Sequence, residues 1–465
     1  MQIGRKDVFW NFIATSMRIA SGVIVLPLVL HLLPTEEVGL WNVFITIGSL
    51  AALLDFGFSN SFSRNITYIF SGVKSLQKRG YGEVDQLDNS IDYGLLKSVT
   101  AAMRRYYGIL AALFLVIFLV ASPFYLTTVL QKYSGNKTEV WISWLVYGVL
   151  VAYQLYTYYY GSILAGRGYI KKLNQIIIIG QSCRIIASVV FLLLGFGLIS
   201  LVIGQFVSDI VNRSLCYLSF YDKEIRQNLK NAVQIPVGEI MKIMTPNAVK
   251  IGFTTFGTFL IGKSIMIIAP LYLTLADIAS YGTTKQMIEL IMSLSTIWFS
   301  TYYPKITMHR VKDEMHDLKR MYIKGNLAMF AVFIICGIGL ILTGPTLLTL
   351  IHSKTQFLPT IMIVVLLFSA MLDSNQNMAT SLLLTGNEVP FMKATIISGI
   401  SSLCILLFCL NFTHLGIWGM IIAPAVALTA YSNWKWPYVV SKQLDIHPGN
   451  YLTMISTVIR ELKKK

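Results

Sequence analysis

Charged residues are scarce in this sequence. They make up 13% of the 465 residues, while hydrophobic residues make up 55%; a soluble domain carries about 25% charged residues. Negative charge is the scarcer kind, because 22 acidic residues stand against 38 lysines and arginines, which gives a net charge of +16. The composition therefore excludes a large soluble domain, and the basic excess indicates either an anionic partner or a membrane.

Cysteine is also sparse and is not arranged for metal binding or disulfides. The five cysteines all lie in apolar segments, without a CxxC pair, which is typical of small core residues. The sequence contains no HExxH motif and no phosphate-binding P-loop. We therefore predict no enzyme activity, no metal and no cofactor, and we expect any transport to be driven by a gradient, with H+ or Na+ as the candidate coupling ion.

Long apolar runs are abundant. Each is about 20 residues long, the length that a helix needs to cross a hydrocarbon core of about 30 Å. The predicted spans are 8–31, 39–61, 107–129, 141–164, 175–195, 198–220, 248–272, 281–303, 323–345, 358–384, 394–411 and 415–434. We predict an all-α polytopic membrane protein with about 12 transmembrane helices in two six-helix lobes, because backbone groups cannot remain unpaired in lipid.

The basic residues are distributed asymmetrically among the loops. If the N-terminus is cytoplasmic, 30 lysines and arginines lie in the tails and loops of the cytoplasmic side or at the span ends next to them, and only Lys132, Lys137 and Lys354 lie opposite. Cytoplasmic loops of membrane proteins are enriched in such residues. The asymmetry predicts cytoplasmic N- and C-termini, and it excludes nucleic acid as the reason for the positive charge.

The loop lengths suggest four divisions of the chain. These are an N-terminal lobe over 1–222, a cytoplasmic amphipathic linker over 223–247, a C-terminal lobe over 248–436, and a basic amphipathic tail over 437–465. Val237, Ile240, Met241 and Met244 recur at helical spacing in the linker, and the tail repeats such a pattern before three lysines. Both segments are predicted to lie on the membrane surface; a solvated tail is the alternative.

Three pairs of short segments occur in the same order in the two halves. They are 37–41 with 277–281, 162–166 with 381–386, and 197–204 with 416–423. Each match is weak alone, but their common order indicates two copies of one six-span unit. Because six is even, the copies have the same orientation in the membrane, as in transporters built from parallel repeats, whose substrate binds between the halves.

Two segments near the start resemble a known family. Residues 31–41, HLLPTEEVGLW, and residues 53–59, LLDFGFS, resemble the opening of polysaccharide-repeat flippases of the Wzx type, in the multidrug/oligosaccharidyl-lipid/polysaccharide exporter (MOP) superfamily. The resemblance implies a V-shaped, MATE-like pair of lobes that moves a polyprenyl-pyrophosphate-linked oligosaccharide repeat unit across the bacterial plasma membrane for surface polysaccharide synthesis. It also implies membrane lipids and other polysaccharide-assembly proteins as partners. Lys263 departs from the pattern, because related transporters often have an acidic residue in span seven.

Three basic residues fall near the middle of predicted spans. Arg18, Arg184 and Lys263 have no carboxylate three or four residues away on their own helix, and a basic residue at the bilayer centre costs about 2.5–3.5 kcal/mol on insertion scales. We interpret them as the lining of a cationic central cavity that binds the pyrophosphate or acidic sugars of the substrate. The alternative is pairing with a carboxylate of another helix.

Other polar residues in the spans have two interpretations. Asp373 begins a polar run that includes Asn375, and these two residues and Asp55 are candidates for ion coupling or for a polar cavity wall; the alternative is hydrogen bonding between helices. The helical spacing of two further pairs predicts structural ion pairs, Asp209 with Arg213 and Lys285 with Glu289.

A tyrosine stripe on span four, Tyr153, Tyr156 and Tyr160, is predicted to be an interfacial belt rather than a sugar platform. Among functions, a lipid-linked oligosaccharide flippase is favoured over a cation-coupled multidrug exporter of the same superfamily, since the three unpaired charges are positive. A membrane glycan polymerase or ligase is the least favoured, because the outer loops are too short to hold a catalytic site.

Overall fold

The computed structural model describes residues 10, 13, 14, 17, 24–73, 91–234, 236–385, 389–413, 415–447 and 449. The chain divides into two compact units, Met1–Phe256 and Gly257–Lys465. Helices dominate both units, and the described residues contain no β-strand. This confirms the predicted all-α class.

The first unit contains nine labelled helices after a helical segment over residues 24–32. They are α1 (Thr35–Leu54), α2 (Phe58–Phe70), α3 (Tyr93–Val129), α4 (Lys137–Thr157), α5 (Tyr159–Gly166), α6 (Ile170–Leu193), α7 (Ile199–Phe220), α8 (Lys223–Asn231) and α9 (Val237–Gly262), the last of which crosses into the second unit.

The second unit continues with seven further helices in its described residues. They are α10 (Ser264–Ile268), α11 (Leu275–Val311), α12 (Met315–Leu350), α13 (Thr360–Leu384), α14 (Met392–Phe412), α15 (Ile417–Thr429) and α16 (Ser432–Gln443). Short 3-10 turns occur at Leu130–Lys132 and Ala269–Leu271.

Six helices among the described residues are long and apolar enough to cross a membrane. A bent pair, Gly252–Gly262 with Ser264–Leu271, passes the same test and turns by 52° at its break. Helices also occupy the described parts of the other predicted spans. The chain is therefore a multi-pass membrane protein, as the hydropathy indicated.

The helix of the third span begins before the predicted span. Residues up to 106 are predicted to lie in a loop, but α3 begins at Tyr93, where the Asp92 side chain accepts the backbone N–H of Leu95 at 2.8 Å. This cap satisfies one of the free N–H groups at the helix start. The resulting 37-residue helix and the 36-residue α12 each contain one proline near the C-terminal end, Pro123 and Pro345, which is a further correspondence between the halves.

The predicted surface position of the linker is wrong for its described residues. Ile225 of α8 and Ile240 of α9, each 2% exposed, belong to the apolar core of the first unit, and Val237 and Met241 pack against that core. In addition, the Lys97 ammonium donates to the Ala232 carbonyl at 2.9 Å. The apolar face of the linker is thus covered by protein rather than by lipid. The basic end of the tail lies outside the described residues.

Candidate functional site

The polar side chains of the first unit converge on Asp209. This residue of α7 is 7% exposed. Its carboxylate accepts hydrogen bonds from the Gln154 amide of α4 at 2.5 Å and from the Gln205 amide, one turn earlier on α7, at 3.1 Å. The two glutamines satisfy the buried carboxylate, as a buried charge requires. Sequence analysis missed both glutamines, because an uncharged amide in an apolar span gives no distinctive signal.

The predicted Asp209–Arg213 ion pair is wrong. Arg213 lies within electrostatic range of Asp209, but no described carboxylate lies within 4.0 Å of its guanidinium group. The group instead lies over the ring of Tyr158, 5.9 Å from the centroid, and its buried Nε has no hydrogen-bond partner. The amides of Gln154 and Gln205 therefore bind the Asp209 carboxylate, whereas the helical spacing predicted that Arg213 would bind it.

Arg184 of α6 lies near the same cluster. Its guanidinium group is within electrostatic range of the Tyr147 hydroxyl and the Asp209 carboxylate, yet it forms no ion pair with any described residue. Two partly buried arginines therefore lie beside one carboxylate that amides already satisfy. Arg18, the third predicted cavity residue, lies outside the described residues.

Asp55 occupies the break between α1 and α2. Its carboxylate accepts the Tyr107 hydroxyl, the Ser59 hydroxyl at 2.7 Å and the Ser59 backbone N–H at 3.1 Å. The chain turns here through Phe56 and Gly57, both with positive φ, a conformation that glycine adopts without strain and phenylalanine does not. This carboxylate holds the first turn of α2, which is a structural role rather than a free ion ligand.

Lys263 has a partner that its sequence neighbours do not reveal. Its ammonium is 3.3 Å from the Glu289 carboxylate of α11, and both side chains are partly exposed. The interpretation of Lys263 as an unpaired cation is therefore wrong. Any anionic ligand at Lys263 would have to compete with Glu289.

Lys285 also departs from its predicted pairing with Glu289. Its ammonium donates to the Gly262 carbonyl at 2.7 Å and lies 5.6 Å from the ring centroid of Tyr281. Gly262 ends α9 at the break before α10, and a helix C-terminus attracts a positive charge. The Lys285 ammonium thus binds at the break in span seven, and Glu289 pairs with Lys263 instead.

Asp373 and Asn375 of α13 contribute unsatisfied oxygens. The Oδ1 atoms of both residues are buried and without a hydrogen-bond partner, as is the whole side-chain amide of Asn433. Asp373 lies beside Asn433 and within electrostatic range of Lys285. Buried polar groups are normally satisfied, so the adjacent unsatisfied atoms of Asp373 and Asn433 indicate a position for water or a cation.

One further group has metal-ligand spacing among the described residues. Ligand atoms of His309, Glu314 and Asp317 all lie within 4.8 Å of one another, at the turn between α11 and α12. His309 Nδ1 is already bonded to Glu314 at 2.5 Å, and Glu314 and Asp317 are exposed. The histidine–glutamate contact brings two of the three ligand atoms together.

Comparisons with known proteins give a fold but no family. No family model and no curated protein matches the sequence. An inward-facing multidrug resistance MATE family transporter of the MOP superfamily is similar in structure, with a TM-score of 0.65 and 14% identity over 93% of this chain and 94% of that one. The lipid II flippase MurJ in an inward closed conformation gives 0.64 and 12% identity over 96% and 89%.

A third similar structure is a MOP superfamily transporter from Pyrococcus furiosus, described as having a binding pocket of reverse polarity. Its TM-score is 0.56, with 16% identity over 95% of this chain and 94% of that one. At these identities the likeness shows the fold alone. The chain therefore has a MATE-like fold of about 12 helices across two lobes, as predicted.

Proposed function

We propose that the protein is a MOP-superfamily transporter that flips a polyprenyl-diphosphate-linked oligosaccharide across the plasma membrane of a bacterium. The observation that carries this proposal is the pair Arg184 and Arg213, two partly buried guanidinium groups without an ion-pair partner among the described residues. Such charges are rarely retained in a membrane without a function. Guanidinium groups bind phosphate through two parallel hydrogen bonds.

The satisfaction of Asp209 supports an anionic substrate. The amides of Gln154 and Gln205 donate hydrogen bonds to its carboxylate, so neither arginine donates to it, although both lie within electrostatic range. A ligand phosphate would supply the missing acceptors, whereas a lipophilic cation would be repelled by two fixed positive charges. Arg18 and Lys263 remain proposed contacts of the anionic substrate, the latter together with its partner Glu289.

Ion coupling is proposed for Asp373 and Asn375. Their buried Oδ1 atoms lack partners, and the unsatisfied Asn433 amide lies beside Asp373, whereas Asn375 lies on a different face of α13. Oxygen atoms of this kind bind hard cations, and a carboxylate can exchange a proton instead. H+ or Na+ are the proposed coupling ions, and the described contacts of Asp55 favour a structural role for that residue.

Cation-coupled multidrug export is the second candidate function. It is favoured by the carboxylates of the second unit, Glu289, which is half exposed, and Asp373. Multidrug resistance transporters are also among the proteins with this fold. The sign of the charges in the first unit argues against this candidate.

Direct binding distinguishes the two candidates. The purified protein is titrated with undecaprenyl diphosphate and, separately, with ethidium as a lipophilic cation, and binding is measured by native mass spectrometry. We expect the diphosphate to bind, and Arg184→Gln or Arg213→Gln to weaken it about 10- to 100-fold, the value of one charged hydrogen-bonded contact. Lys171→Gln, an exposed charge in the same unit, is the matched control. Binding of ethidium but not of the diphosphate would favour the exporter.

A further inference from the structure

The tyrosines of span four belong to a larger cluster with two arginines. The Arg104 guanidinium of α3 donates from Nε to the Tyr156 hydroxyl at 3.1 Å and is within electrostatic range of Tyr160. The Tyr160 ring contacts the Tyr217 ring of α7 at 5.8 Å between centroids. Arg226 of α8 lies 5.4 Å from the Tyr217 centroid. We call Arg104, Tyr156, Tyr160, Tyr217 and Arg226 the tyrosine–arginine cluster.

The charges of the cluster are available to a ligand. Arg104 and Arg226 are exposed and have no ion-pair partner among the described residues. The contact with Tyr156 uses only Nε of Arg104, so the outward fork of this guanidinium is free to bind a phosphate with two hydrogen bonds. The Tyr160 and Tyr217 rings contact each other edge to face, and the two guanidinium groups give the cluster its positive charge, so the cluster suits a phosphate better than a neutral sugar.

Arg226 is held on a fixed support. The Asp222 side chain accepts the Ile225 backbone N–H at 2.9 Å at the start of α8, and Arg167 binds the same carboxylate at 2.9 Å. Ile225 is buried and anchors α8, while the next residue, Arg226, is exposed. A preorganised cation loses less freedom on binding than one on a flexible loop.

The position of the cluster matches a head-group layer. Arg104 lies just before predicted span three, and Tyr217 and Arg226 lie at the end of predicted span six and just after it. The basic-residue asymmetry predicts that these ends are cytoplasmic. Tyrosines are enriched at that depth, and the inner leaflet carries anionic lipids.

We propose that the tyrosine–arginine cluster is a binding site for the phosphate head group of an anionic phospholipid. The lipid phosphate binds the free fork of Arg104, a tyrosine hydroxyl adds a hydrogen bond, and Arg226, on the far side of the Tyr160–Tyr217 contact, adds positive charge. The site lies apart from Arg184 and Asp209 and does not depend on the proposed substrate. A lipid bound at this site would contact α3, α7 and α8 at the membrane surface.

Native mass spectrometry of the full-length protein in detergent tests the proposal. We expect phosphatidylglycerol to be retained about tenfold more strongly than phosphatidylcholine by the wild type. The double variant Arg104→Gln, Arg226→Gln should lose this preference, and Arg104→Lys, Arg226→Lys should keep part of it, since lysine retains the charge without the fork. The control double variant Lys171→Gln, Lys172→Gln removes the same charge from exposed positions in the same unit and should bind like the wild type.

Three results would overturn the proposal. Equal losses in the cluster and control variants would show a diffuse charge effect. Unchanged binding in the arginine double variant would show that the cluster is not the site. If the wild type retains undecaprenyl diphosphate at the cluster but shows no preference for phosphatidylglycerol, the ligand is a substrate head group and not a phospholipid. The absence of a phosphatidylglycerol preference in the wild type would also overturn the proposal, and this measurement needs no variant.

Discussion

At the scale of single residues, the charged side chains in the spans differ in their hydrogen bonds and ion pairs. Asp55 accepts hydrogen bonds from Tyr107 and Ser59, and Glu289 is paired with Lys263. Arg184 has neither kind of contact among the described residues. A charge without a partner is retained at a cost, so Arg184 is the residue for which a ligand is needed.

Removal of the Asp55 carboxylate is expected to destabilise the first unit. Asp55→Ala leaves the Tyr107 hydroxyl and the Ser59 N–H without an acceptor, and such a loss costs about 1–3 kcal/mol for each buried group. Ser59→Ala removes one donor only and should cost about 1 kcal/mol. Thermal unfolding in detergent measures both. An Asp55→Ala variant that unfolds like the wild type but fails in transport would contradict the structural role.

Sequence spacing predicted the wrong partners for two charge pairs, and the reason is competition from other helices. The rule for residues four apart describes isolated helices. In the folded chain Gln154 reaches Asp209 from 55 residues away, and Lys263 reaches Glu289 from 26 residues away. Such contacts depend on packing, which a single sequence does not reveal.

At the scale of elements, α8 is fixed at its start by an ionic contact outside the spans. The N–H of Ile225 and then the Arg167 guanidinium hold the pKa of Asp222 below its usual value. A carboxylate with a lowered folded-state pKa stabilises the fold above its unfolded pKa, and that contribution is lost as the pH falls through the folded value.

The expected result is an acid-sensitive component of stability. The unfolding midpoint of the wild type should fall as the pH is lowered below about 4, the usual range of an aspartate, and Asp222→Asn should remove part of that fall while lowering the midpoint at pH 7. Glu239→Gln, at an exposed position of α9, is the control. If Asp222→Asn has the same pH profile as the wild type, the contact does not hold α8.

Small residues let α9 and α14 approach closely. A Cβ atom on Gly399 would lie 2.7 Å from the Gly257 carbonyl, and one on Gly257 would lie 2.8 Å from the Thr395 carbonyl. Gly399→Ala should therefore lower the unfolding free energy by about 1–3 kcal/mol through overpacking. Gly339→Ala, where no atom lies within 4 Å, should be neutral or slightly stabilising. Equal effects at both glycines would show that the crossing is not tight.

At the scale of the whole molecule, the sequence predicted the helical class and the number of spans well, because apolar length is a direct requirement of the bilayer. It predicted helix starts poorly. Helix α3, for example, begins at the Asp92 cap and continues through basic residues whose composition suggests a loop. It missed the burial of Ile225 and Ile240, since an amphipathic helix looks the same whether protein or lipid covers it.

Membrane topology is a prediction of the charge asymmetry. Single cysteines at Lys137→Cys and Asp317→Cys, both exposed positions, are introduced into a variant without the five native cysteines. An impermeant maleimide applied to intact cells should label position 137 and leave position 317 unlabelled until the cells are opened. The reverse labelling pattern would show that the orientation in the membrane is opposite to the predicted one.

We propose that the protein moves an anionic lipid-linked glycan with the help of Arg184 and Arg213 in its spans. The most direct measurement uses proteoliposomes containing a fluorescent polyprenyl-diphosphate oligosaccharide and a membrane-impermeant quencher. With the wild type, we predict that nearly all of the fluorescence becomes quenchable, whereas with Arg184→Gln, Arg213→Gln the rate falls at least about tenfold and Lys171→Gln leaves it unchanged. If the inner-leaflet pool stays protected with the wild type, or if the arginine variant flips as fast, the claim is wrong.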